Sequence, residues 1–118
     1  MAVSEAHRRH WMQRSAAETE QRERRRAAAL EQAEQTAAAL RRQWPCLSAI
    51  WLFGSVLTGA FAAHSGIDLA VEGLPTGDLL AALALTEASG EIPVDLVRLE
   101  ALPPHWQQRI RQRGRRLT

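Results

Sequence analysis

All seven glycines and all five prolines of this 118-residue chain lie from Pro45 onward. From Ser4 to Gln43 the chain is instead dominated by Ala, Glu, Gln and Arg, which lose little conformational freedom on entering a helix. Ser4 is suited to cap the first turn, and one or two long helices are expected over 4–43. Read in alternating steps of three and four, the seam from Met12 to Trp44 is apolar at its two ends and charged in its middle. The expectation is that 30–44 packs, that the Glu20 to Arg26 stretch (EQRERRR) lies in water, and that the break disfavours a sustained coiled coil.

After Pro45 the punctuation becomes dense. Strands are expected over 47–53, 67–71 and 92–97, with a short helix or loop over 56–63. Thr76 and Asp78 suit a helix start, followed by an apolar face of Leu79, Leu80, Leu83 and Ala84 and a stop at Ser89 and Gly90. Pro103 and Pro104 introduce a last helix through Trp106 and Ile110, with Gly114 placed to end it. Alternating helices and strands point to an α/β or α+β domain with a small sheet and a long N-terminal helix.

Arginine supplies all fifteen basic charges, and none falls between 44 and 97. The three stretches 1–43, 44–97 and 98–118 carry net charges of +3, −6 and +5. An acidic middle between basic ends suits metal binding in one and polyanion contact in the other, although separated charge is commonly plain solvated surface. The lone Cys46 has no disulfide partner within the chain, and its place after Pro45 beside apolar residues suggests a buried small hydrophobe. MAVSEAHRRH lacks the apolar core of a signal peptide, so the cytoplasm is the expected compartment. The uncharged run 43–67 is long enough for a membrane span, but Pro45, Gly54, Gly59 and His64 break it, and a strand followed by a loop accounts for it better.

Of three aspartates, Asp78 fits a helix N-terminus. Asp68 and Asp95 stand inside apolar strands, IDLAV and VDLV, where an unpaired carboxylate is costly unless it emerges at an edge or meets a cation. Strand alternation turns each away from its apolar neighbours, so both can face one cleft. Two such carboxylates near the Gly54-Ser55 turn suit metal-assisted phosphoryl chemistry, since Mg²⁺ takes oxygen ligands and glycine lets backbone N–H groups approach a phosphate. Partial exposure, or pairing with the C-terminal arginines, is the structural alternative. Other motifs fail: Gly54 to Gly59 has Walker A spacing but Ala60 and Phe61 where Lys and Ser/Thr are required, no Cys/His spacing suits zinc, and Gly-x-Ser-x-Gly is absent.

Gly54-Ser55, Ser65-Gly66-Ile67-Asp68-Leu69 and Val94-Asp95-Leu96-Val97 together resemble the minimal nucleotidyltransferase family of the polymerase-beta superfamily. The resemblance covers about 47–117 and divides the chain into a helical segment, 1–44, and a nucleotidyltransferase-like domain, 45–118. It implies a small mixed sheet flanked by helices, Mg²⁺ at Asp68 and Asp95, and a nucleoside triphosphate, ATP by family habit, as substrate. Gly54 and Ser55, with Ser65, would hold the nucleotide, while Asp68 and Asp95 would be the catalytic pair and Asp95 would help activate an acceptor hydroxyl on protein or RNA. Small members often act as antitoxins paired with a helical HEPN protein.

Two departures temper the implied activity. Gly66 stands where the family's first Asp belongs, and Val56-Leu57-Thr58 lacks the arginine common after Gly-Ser. Glu72 lies on the face of Asp68 but roughly 13 Å along the strand, too far to replace the missing acid. The expected result is a weakened or inactive transferase, the alternative a non-catalytic antitoxin-like binding module. The tail arginines Arg109, Arg111, Arg113, Arg115 and Arg116, with 22–26, are open to nucleic-acid contact, to solvation, or to closing over a nucleotide's phosphates. The N-terminal helix is available for packing on its own domain or for self-association.

Overall fold

The computed structural model describes residues 4–118; Met1 to Val3, which open the N-terminal stretch read above, lie outside the described residues. Helix α1, Glu5–Gln43, is a single 39-residue helix. At 1.5 Å per residue it is about 58 Å long, and it sets the long axis of a molecule measuring 62 × 30 × 20 Å. Ser4 Oγ accepts one of the free first-turn N–H groups, that of His7, at 3.2 Å. The helix closes at Trp44, whose N–H donates to Leu40 O, immediately before Pro45.

The two halves of α1 behave differently. From Ser4 to Ala28 every residue is exposed except Arg25 and Arg26, and Trp11 and Met12 stand in solvent. From Ala29 onward a stripe of Ala29, Gln32, Ala33, Thr36, Ala37 and Leu40 is buried. Its small side chains allow close approach to the sheet, and its polar members are satisfied. The Gln32 amide donates to Ile92 O at 2.7 Å and accepts from Ile92 N at 3.1 Å. Thr36 Oγ1 donates to Ser89 Oγ, which donates to Thr86 O.

The sheet contains β1 (Ala49–Phe53), β2 (Ile67–Glu72), β3 (Val94–Arg98) and the two-residue β4 (Arg115–Arg116), in the order β3-β2-β1-β4. β1 runs antiparallel to β2 and β4, whereas β2 and β3 are parallel and joined through α3, Leu79–Glu87. Between β1 and β2 lie a four-residue helix α2, Ser55–Thr58, and a loop. Helix α4, Pro104–Arg113, precedes β4. One sheet face buries Ile50, Leu52, Ile67, Leu69, Val71 and Leu96 in the main core with α1 and α3. The other packs Trp51, Phe53, Ala70 and Val97 with Leu99 and with Ile110 of α4. The sheet is mixed and flanked by helices, as expected.

Four details depart from the sequence reading. Leu80 is 81% exposed, and Ala82 and Thr86 are the buried residues of α3, because a 3-10 turn over Thr76–Asp78 precedes the helix and sets its phase. β3 starts at Val94: Pro93 has no N–H to give, and Ile92 is bonded to Gln32. β4 was not foreseen; beyond Gly114 the chain pairs with β1 and continues with Leu117 N donating to Ile50 O. Cys46 is exposed, since it sits in the turn that follows α1 rather than in the strand beyond it.

Replacing Gln32 by Ala strands two backbone groups of Ile92 and is expected to lower the unfolding free energy by about 1–3 kcal/mol in urea titrations. Gln13→Ala, on the exposed half of α1, should stay within about 0.5 kcal/mol of the parent.

Candidate functional site

Parallel pairing of β2 with β3 sets Asp68 directly opposite Asp95. Residues opposed in register share a face, and neighbouring strands lie about 4.8 Å apart, so the two carboxylates are side by side. On its other flank Asp68 is opposite Phe53, the last residue of β1. The next residue, Gly54, adopts φ 86 and ψ −156, and a Cβ there would run into Oδ2 of Asp68. Glycine is thus required twice over, by the positive φ and by the carboxylate beneath it. Ser55 opens α2 immediately afterwards, and in its first turn the N–H groups of Ser55 and Val56 have no intrahelical acceptor, while that of Leu57 donates to Gly54 O at 3.1 Å.

Asp68 is half-buried, and its pKa is raised above the ordinary carboxylate range, first by loss of solvent and then by the negative charge of Asp95. Among the described residues neither aspartate makes an ion pair. Two of the C-terminal arginines are engaged elsewhere: Arg111 bonds Glu72 at 3.3 Å, and Arg116 donates to Ser48 O at 2.9 Å. Burial works to raise the pKa of Glu72, but hydrogen bonds from Arg111 and Trp51 and the charges of Arg111 and Arg116 hold it below the usual range. Glu72 therefore belongs to a separate cluster.

Two adjacent carboxylates without a cation suit a divalent ion, whose remaining ligands are commonly water and phosphate oxygens. No group of three or more His, Cys, Asp and Glu comes together among the described residues. Gly66 adds no ligand, and its backbone is close-packed: a Cβ there would stand 3.0 Å from Pro93 O. Ser65 lies in the loop before β2, where its Oγ accepts from Ala62 N at 2.9 Å.

Two residues of this region were missed. Arg25 and Arg26, expected in water, turn inward from α1 and hold the loop between β1 and β2. Arg26 Nε donates to Val56 O at 2.7 Å, while Arg25 donates to Ala62 O and Ser65 O and lies 5.5 Å from the Phe61 ring centroid. Their position one turn before Ala29 continues the buried stripe, a signal masked by the charges around them.

Beside Gly54 a cleft of about 320 Å³ opens between Leu57 and Thr58 of α2 and Trp106, Arg109 and Arg113 of α4. A wider groove of about 510 Å³, bounded by Glu18, Arg22, Arg25 and Ala63, contains neither aspartate.

The raised pKa of Asp68 gives a signed expectation. Between its unfolded and folded pKa values the native state binds more protons, so this group's contribution to stability falls as pH rises through that window. Asp68→Asn should therefore be more stable than the parent at pH 7, and the difference should shrink as pH falls through the window, measured by thermal melts of both proteins across pH.

Comparison with known proteins agrees with this fold. Two solved structures resemble the chain: a toxin-antitoxin crystallised with AMP-PNP (28% identity, TM-score 0.61, 72% of each chain covered) and a mutant of the toxin-antitoxin MntA-HpeT (26% identity, TM-score 0.59, 72% of this chain and 71% of that one). No curated protein matches the sequence. No helix among the described residues is long and apolar enough to cross a membrane. The sequence profile described as "Polymerase beta, Nucleotidyltransferase" matches residues 34–118, well over half of the sequence, and the chain therefore belongs to the polymerase-beta nucleotidyltransferase family.

Proposed function

We propose that this protein is an antitoxin-type nucleotidyltransferase that binds a nucleoside triphosphate, ATP in the first instance, and whose transfer of the nucleoside monophosphate to a protein or RNA hydroxyl is weakened by Gly66. The observation that carries this reading is the contact of Gly54 with Asp68, which brings a phosphate-accessible bend and the paired carboxylates Asp68 and Asp95 together. The two structural relatives add support, since both are toxin-antitoxin systems and one was crystallised with AMP-PNP.

In this reading Gly54 and the N–H groups and hydroxyl of Ser55 bind outgoing phosphates, and Ser65 orders the loop alongside. Asp68 and Asp95 would hold Mg²⁺, which when bound neutralises phosphate charge and polarises the reacting phosphorus. Asp95, the exposed member of the pair, is reachable by an acceptor hydroxyl. It takes the hydroxyl proton as the oxygen bonds to the α-phosphorus and pyrophosphate departs. With only two carboxylates gathered, the site lacks the third that a two-metal mechanism uses.

That shortage favours a second reading, in which the fold is a non-catalytic module that binds a helical HEPN-type partner in the cytoplasm. Radiolabelled ATP, Mg²⁺ and a candidate partner discriminate the two. For the transferase, slow Mg²⁺-dependent labelling is expected, and Gly66→Asp should accelerate it by about a hundredfold, the rate equivalent of a few kcal/mol of lost charge stabilisation. No labelling by either form, with partner binding intact, establishes the module instead. Equal rates in parent and variant would show that Gly66 is no handicap.

A further inference from the structure

The tail arginines separate into two groups. Arg111 is tied to Glu72 and Arg116 to Ser48 O, both at the end of the sheet where β1 begins and β2 finishes. Arg109 and Arg113 instead line the cleft beside Gly54, and among the described residues neither forms an ion pair. They stand four residues apart on α4, so they occupy one helix face, and two like charges at that spacing destabilise the helix unless something of opposite sign lies between them. No carboxylate lines this cleft to do so.

We propose that Arg109 and Arg113 grip the β- and γ-phosphates of the bound nucleoside triphosphate, an inference that rests on the nucleotide reading above. The cleft begins at Gly54, the residue in contact with Asp68, so a phosphate chain whose first phosphorus lies at the aspartate pair has this space next in line. Its wall on the α2 side offers Leu57 and Thr58 and no charge, which leaves α4 to supply the cations. A guanidinium binds phosphate through two parallel N–H groups, and the apolar surfaces of Leu57 and Trp106 around it strengthen that attraction. Arg109 is also pre-positioned, with its guanidinium carbon 5.6 Å from the centroid of the Trp106 ring. At about 320 Å³ the cleft falls at the small end of ligand pockets, in keeping with a phosphate tail rather than a whole nucleotide.

Calorimetric titration of the full chain with ATP, AMP and inorganic tripolyphosphate in Mg²⁺ tests this, comparing the parent with Arg109→Gln, Arg113→Gln and the double variant. The double variant should lose at least about tenfold in affinity for ATP and tripolyphosphate, as expected for lost charge-assisted hydrogen bonds, and keep its affinity for AMP. The Arg109→Lys, Arg113→Lys variant, which keeps both charges, should recover part of the loss. Both arginines are exposed, and thermal melts identify any variant whose fold has suffered. Unchanged ATP affinity in a folded double variant overturns the inference and leaves the nucleotide reading standing. Loss of a single-stranded RNA ligand from that variant, with ATP affinity intact, would assign the arginines to nucleic acid instead. A parent protein that binds neither ATP nor tripolyphosphate overturns both readings together.

Discussion

The parallel register between β2 and β3 is the constraint on which the site depends. It places Asp68 opposite Asp95, and because side chains alternate along a strand, a slip of either strand by one residue would send its carboxylate into the core with α1 and α3. Ile67, Leu69 and Leu96 oppose such a slip, since each would have to leave the core. Hydrophobic burial on one face thus fixes the position of charge on the other. The antiparallel partner β1 adds the Gly54 bend at the same level of the sheet.

Electrostatics in this small domain are arranged by neighbourhood. At the β1-β2 end, Glu72 is matched by Arg111, Arg116 and the Trp51 indole, a closed arrangement that contributes to holding α4 on the sheet. At the opposite end of β2 the aspartates have no such partners, and α4 turns its other arginines toward the cleft beside them. One helix therefore carries both a structural cation and unmatched ones. The unfavourable ionisation of Asp68 is the kind of local cost that a packed fold tolerates where a ligand supplies the compensation.

How much of this was legible follows from what sequence patterns encode. Freedom from Gly and Pro marked α1, and the apolar end of its seam over 30–44 marked the part that packs, whereas the equally apolar end at Met12 stands in solvent beside Trp11. Strand alternation gave the common face of Asp68 and Asp95, since the period of two is a local property of the backbone. Arg25 and Arg26 were hidden because their partners are backbone carbonyls thirty or more residues away, with no side-chain signature. β4 escaped for a similar reason: two arginines carry no strand pattern, and only the adjacent edge of β1 makes them one. Leu80 and Cys46 show the limit of hydrophobicity as a guide to depth, because helix phase and turn position decide exposure there.

Gln32, Ala29, Arg25 and Arg26 all precede residue 34, where the shared family sequence starts. A fragment cut at that border would keep every residue of the recognisable motif, yet Ile92 would lose its pairing and Val56 the guanidinium that steadies the short helix after Gly54. The border drawn by kinship and the border drawn by packing differ here by about three helical turns, and only the second delimits a piece of chain able to hold its own shape.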